Sequence, residues 1–77
     1  MKKLSNISVR DLREILASNG LECIRTNGGQ EAWARKGMLR PVIFQTHVEP
    51  VPEFVVKNII GNLGMTRQEF LDMLEKQ

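Results

Sequence analysis

What the chain lacks narrows its class before any motif is read. Cysteine occurs once, at Cys23, so no intrachain disulfide can form and no cysteine-rich zinc site can be built. Histidine also occurs once, at His47. Metal-ligand spacing, phosphate-loop glycines and paired carboxylates are missing, so neither a metalloenzyme nor a nucleotide hydrolase is expected, and no metal or other cofactor is implied. No apolar run approaches the roughly 20 residues that a membrane span needs. Met1, Lys2 and Lys3 lead into a polar stretch instead of the apolar segment of a signal peptide. A cytoplasmic protein with no membrane partner is the expectation. Repeats, low-complexity tracts and linkers are absent as well.

What remains is ordinary globular composition. Hydrophobic residues make up 42% of the chain and charged ones 26%, which fits a packed core and not disorder. A length of 77 residues leaves room for one domain, residues 1–77, with one modest core. Cys23 falls in an apolar/polar strand pattern and reads as a small buried hydrophobe in preference to a reactive thiol. The net charge of +2 says less than its distribution. Between Ile24 and Val48 lie Arg25, Arg35, Lys36 and Arg40 against only Glu31, while the segment from Thr66 carries Glu69, Asp72 and Glu75 against Arg67 and Lys76. A basic middle suits an anionic partner such as RNA, although a solvated sheet face would carry the same charges.

Local signals give the order of elements. Ser8 is a helix N-cap, with Asp11 placed for a capping-box-like reciprocal bond and Ile7 and Leu12 placed as a hydrophobic staple. Val9, Leu12, Ile15 and Leu16 form an apolar stripe at helical spacing, and Gly20 after Asn19 stops the helix. From Leu21 the period changes: Leu21 to Thr26 reads as a strand, Asn27-Gly28-Gly29 as a hairpin turn, and Gln30 to Lys36 as the returning strand. On that strand Gln30, Ala32 and Ala34 share one face, and Glu31, Trp33 and Arg35 the other. After a turn at Lys36-Gly37-Met38, the segment Arg40 to Thr46 supplies a third strand. Pro50 and Pro52 end the sheet. Pro52 suits the first turn of a second helix, followed by Glu53 at the positive end of its dipole. The apolar face of this helix runs through Phe54, Val55, Val56, Ile59, Ile60 and Leu63 to Gly64, and Gly61 weakens it by about 1 kcal/mol relative to alanine. Thr66 and Glu69 form a capping box for a last helix, with Met65 and Phe70 as its staple and Leu71 and Leu74 on its apolar side. The fold expected is α+β, in the order αβββαα: a three-stranded antiparallel sheet with helices on one face and the other left open.

These residues together resemble a known family. A helix ending in Asn19-Gly20, a strand bearing Arg25, the tight Asn27-Gly28-Gly29-Gln30 turn, the run Phe44-Gln45-Thr46-His47, a helix ending in Asn62-Leu63-Gly64 and a closing Thr66-Arg67-Gln68-Glu69-Phe70 look like the HicA (YcfA-like) family over nearly the whole chain. The resemblance implies a double-stranded-RNA-binding-domain-like fold and a toxin of a toxin–antitoxin pair. That toxin is an mRNA interferase that cleaves RNA without a metal and is neutralised by a HicB-like antitoxin. It also implies a catalytic histidine directly after the glycine turn, where this chain has Gln30. Glutamine hydrogen-bonds but does not titrate near neutral pH. It can neither take a 2′-hydroxyl proton nor hand one to a leaving oxygen, as imidazole can. The chain is therefore expected to be a weak or inactive nuclease. Gln30 fits either a substitution that silences a toxic protein or a natural member that binds without cutting.

The other candidates carry two readings each. His47 either contacts phosphate and assists proton transfer, or bonds a neighbouring backbone at a strand end. Trp33 either stacks on a base or anchors an antitoxin, or covers the sheet edge as a partly buried side chain. Gly28 and Gly29 would bring the backbone close to RNA, and Arg25, Arg35, Lys36 and Arg40, expected to lie near one another, would contact phosphates. Glu31, facing away from Gln30, reads as solvated. A non-catalytic RNA-binding or antitoxin-binding module is the alternative function. A helix-turn-helix built from the last two helices is a weaker one, since Glu69, Asp72 and Glu75 would repel DNA phosphates. A homodimer could form along an open strand edge.

Overall fold

The computed structural model describes residues 4–76; the leader reading of Met1, Lys2 and Lys3 lies outside them. Six elements follow in the expected order: α1 (Val9–Ser18), β1 (Glu22–Asn27), β2 (Gln30–Ala34), β3 (Val42–Gln45), α2 (Glu53–Leu63) and α3 (Arg67–Glu75). The strands form one antiparallel sheet in the order β1-β2-β3.

The helix ends follow their sequence signals, with two adjustments. At α1, Asp11 N–H donates to Ser8 Oγ at 3.0 Å, the forward half of a capping box. A carboxylate distant in sequence satisfies the first-turn amide beside it: Val9 N–H donates to Glu49 Oε2 at 3.0 Å. At α3 the box is complete, with Glu69 N–H on Thr66 Oγ1 and Thr66 N–H on Glu69 Oε1. Pro52 stands at the N-cap of α2 and not inside its first turn, and α2 runs through Gly61 unbroken until Gly64 ends it in the left-handed region at φ +71°.

The core lies between the helices and one face of the sheet. Leu12, Ile15 and Leu16 of α1, Val56 and Ile59 of α2 and Phe70 and Leu74 of α3 meet Val42 and Phe44 of β3. In β3 the burial alternates, with Val42 and Phe44 inside and Ile43 and Gln45 exposed, so the helices cover one sheet face and the other stays open. An antiparallel bridge between Ile7 and Val51 ties the chain's start to the segment before α2.

Two expectations about burial are corrected. Cys23 is exposed, as is every residue of β1. This strand is one of the two edges of the sheet, and a register shift between Cys23 and Arg25 disrupts its pairing with β2. Phe54 does not join the apolar face of α2 and is 68% exposed. At about 100° per residue, it points away from the stripe made by Val56, Ile59, Ile60 and Leu63, which recurs at helical spacing.

Candidate nucleic-acid interface

The hairpin turn sets the geometry of the open face. Asn27 pairs with Gln30 across a two-residue loop of Gly28 and Gly29. Gly28 has φ +63° and Gly29 is not among the positive-φ residues, the glycine placement of a tight hairpin turn with its left-handed residue first. The requirement at Gly29 is spatial. A Cβ there would overlap His47 Nδ1 and stand 2.7 Å from His47 Cε1, so the imidazole ring lies directly on the glycine backbone. The chain is clamped in this position, because Thr46 N–H and Thr46 Oγ1 both donate to the Gly29 carbonyl, at 2.7 and 3.1 Å. His47 thus lies just past the end of β3, in the turn after it, and not on the strand. The fold carries this imidazole to the residue beside Gln30, across 18 positions of sequence.

The open face continues from this corner. Gln30 pairs with Gln45 and Ala32 with Ile43 across β2 and β3, while Ala32 and Asn27 meet Arg25 and Gln30 across β1 and β2. Arg25, Asn27, Gln30, Ile43 and Gln45 are all exposed, and the small Ala32 in their midst is buried by them. Arg25, Asn27, Gln30 and Ile43 line a polar depression of about 200 Å³. Next to it, an apolar cleft of about 310 Å³ runs past the free edge of β3 to the start of α2, and Phe54 and Val55 form part of its lining. Gln30 and Ile43 belong to both.

The remaining candidates sit elsewhere. Trp33 is on the helix-facing side, half-buried against the core, with its indole N–H donating to Glu31 Oε1 at 3.0 Å. Glu31 is corrected from solvated to paired. Arg13 of α1 grips its carboxylate with Nε on Oε1 at 3.1 Å and Nη2 on Oε2 at 2.7 Å. The Arg13 hydrogen bond holds the Glu31 carboxyl below its ordinary range, against the opposing effect of burial and with help from Trp33. The same bond raises the guanidinium of Arg13. Glu31 therefore fixes β2 to α1 and leaves Gln30, the next residue back, facing the open side.

Nor do the four cations form one patch. Arg25 stands mid-sheet opposite Ala32. Arg35, Lys36 and Arg40 belong to the β2–β3 connection at the opposite end from the glycine turn, about 17 Å from Gln30 at the rise of a strand. Arg35 Nη1 donates to the Asn19 carbonyl at 2.7 Å, where the C-terminus of α1 favours a cation. Leu39 in that connection is 99% exposed. Phe54 and Gln45 escaped the sequence reading. A phenylalanine in an apolar helix reads as core, and only the helix phase separates it from its neighbours. Gln45 gains interest solely by standing opposite Gln30.

No helix among the described residues is long and apolar enough to cross a membrane, and the outer side of α3 exposes Glu69, Asp72 and Glu75. Comparison with protein-family models, with curated proteins and with solved structures finds no match for this chain.

Proposed function

We propose that the chain is a cytoplasmic, HicA-like ribonuclease fold whose open sheet face binds mRNA, and that Gln30 leaves it weak or inactive as a nuclease. The observation that carries this reading is the seating of His47 on Gly29. It brings the chain's one imidazole against Gly29, the residue before the position where the HicA resemblance implies a catalytic histidine; Gln30 itself lines the open face with Arg25 and Asn27. RNA cleavage without a metal needs a group to take the proton from a 2′-hydroxyl as its oxygen attacks the adjacent phosphorus. It also needs a group to give a proton to the departing 5′-oxygen, leaving a 2′,3′-cyclic phosphate. Two neighbouring imidazoles can divide these tasks. The Gln30 carboxamide can hydrogen-bond the same oxygens but can move neither proton.

Arg25 would hold a phosphate near the reacting bond, and Arg35, Lys36 and Arg40 would meet the strand further along its path. Under this reading a HicB-like antitoxin is the protein partner, and the exposed strand β1 is where a second copy would pair if the chain dimerises.

Gln30 itself favours a second reading, a module of the same fold that binds RNA or an antitoxin without cutting. Duplex DNA is disfavoured as the ligand by the acidic outer side of α3. Restoring histidine separates the two main readings. If Gln30→His cuts RNA in the presence of chelator, the ribonuclease reading stands; if it binds RNA and leaves it intact, the binding module replaces it.

A further inference from the structure

We infer that the cleft between β3 and α2 is a subsite for one unpaired nucleobase, stacked on Phe54 and read at its edge by Gln30 and Gln45. The inference rests on the RNA reading above and specifies which part of the nucleic acid the site takes. Phe54 is an aromatic ring held 68% exposed at the first turn of α2, where folding gains little from it. Ile43 beside it is 49% exposed. An unpaired base offers an aromatic face of the kind that such a ring stacks on, whatever its identity.

The cleft's size and lining argue for a base over a protein segment. Its volume of about 310 Å³ is at the lower limit of small-molecule sites, which run to about 1,000 Å³ and combine apolar walls with a few placed polar groups. Here those groups are the side chains of Gln30 and Gln45, a directly opposed cross-strand pair. Each carboxamide offers both a donor and an acceptor, the match for the mixed edge of a base. A peptide adding to the free edge of β3 would find only the four residues Val42–Gln45, too short for many ladder bonds. The depression on the other side of Gln30 and Ile43 carries Arg25 and Asn27, so a base in the cleft leaves its phosphate beside a guanidinium. The acidic side chains of this region are engaged elsewhere: Glu53 pairs with Lys57 at 3.8 Å, Glu49 caps α1, and Glu31, which lines the depression, is held by Arg13. The two adjoining hollows, one apolar and one bearing Arg25, thus offer room for the base and the phosphate of one nucleotide.

The test is fluorescence anisotropy with a short, labelled single-stranded RNA of mixed sequence and with the same strand lacking its bases. The proteins are the full chain and its Phe54→Ala, Phe54→Leu and Phe54→Trp variants. Loss of one base–aromatic stack predicts that Phe54→Ala weakens binding of the intact strand by roughly 5- to 150-fold and leaves binding of the abasic strand unchanged. Phe54→Trp keeps the affinity and Phe54→Leu loses most of it. Equal affinity of the wild-type chain and Phe54→Leu for the intact strand overturns the base subsite while leaving the RNA reading in place, and the cleft then belongs to an apolar partner. Absence of any binding by the wild-type chain overturns both.

Discussion

Position 29 shows how one residue can be fixed by what lies against it. Glycine suits this position because the His47 ring rests where a Cβ would stand, an exposed ring that a larger residue would push aside, and hydrogen bonds from Thr46 to the Gly29 carbonyl hold the two backbone segments together. Gly29→Ala is therefore expected to displace the exposed His47 ring and to destabilise the fold by about 1 kcal/mol, the lower end of overpacking costs. In a His47→Ala background, where the ring is gone, most of that cost disappears. A double-mutant cycle by denaturant unfolding measures the difference; equal costs in both backgrounds would mean the ring does not rest on the glycine. Sequence alone could propose the glycine turn and the histidine separately. It could not join them, because the contact spans 18 positions and depends on the register of β2 against β3.

Among the elements, α1 and β2 are joined by a single polar contact with a defined pH dependence. The lowered carboxyl of Glu31 stabilises the fold above the ordinary glutamate range. That contribution is lost as pH falls through the lowered folded-state value, where protonation releases Arg13. Arg13→Met is expected to cost about 0.5–2 kcal/mol near neutral pH, below the full worth of a hydrogen bond to a charged group because the Arg13 side chain is 42% exposed and screened. The gap between wild type and variant narrows in acid, because the variant has no such bond to lose. Thermal melts across an acid-to-neutral series show this, and a gap independent of pH would assign the effect to packing of the Arg13 stem. The helix ends were legible in the sequence because their partners are local: Ser8 with Asp11, Thr66 with Glu69. The partner of Glu31 was not, since alternation along β2 gives two faces without saying which one the helices cover. Trp33 was ambiguous for the same reason, and the same alternation misread Cys23 as buried, where the structure exposes it.

For the whole molecule, the margin is small. A chain of 77 residues has a stability of about 4–12 kcal/mol at typical values per residue. Phe70 is fully buried where α3 closes the core, so Phe70→Ala removes about 3–5 kcal/mol. That loss is expected to bring the denaturant midpoint down by about a quarter or more, or to leave the chain partly unfolded at room temperature. Phe54→Ala, by contrast, is expected to shift stability by no more than about 0.5 kcal/mol, as for an ordinary surface change. Two phenylalanines in apolar helices thus have opposite roles, one holding the fold and the other available to a ligand. The αβββαα order and the open face could be read from turns, caps and alternation. The apolar cleft could not, because it exists only where α2 comes to rest against the edge of β3.

In the proposed function, positions 30 and 47 together make one proton-transfer site beside the glycine turn. The direct measurement is the rate of RNA cleavage, with chelator present, by the chain as it stands, by Gln30→His and by Gln30→His combined with His47→Ala. Gln30→His is expected to cut about 10²–10⁴-fold faster than the parent, the usual worth of a positioned acid–base group, and removing His47 to reverse most of the gain. Equal rates for all three proteins, or a Gln30→His chain that binds RNA and never cuts it, would contradict that proposal.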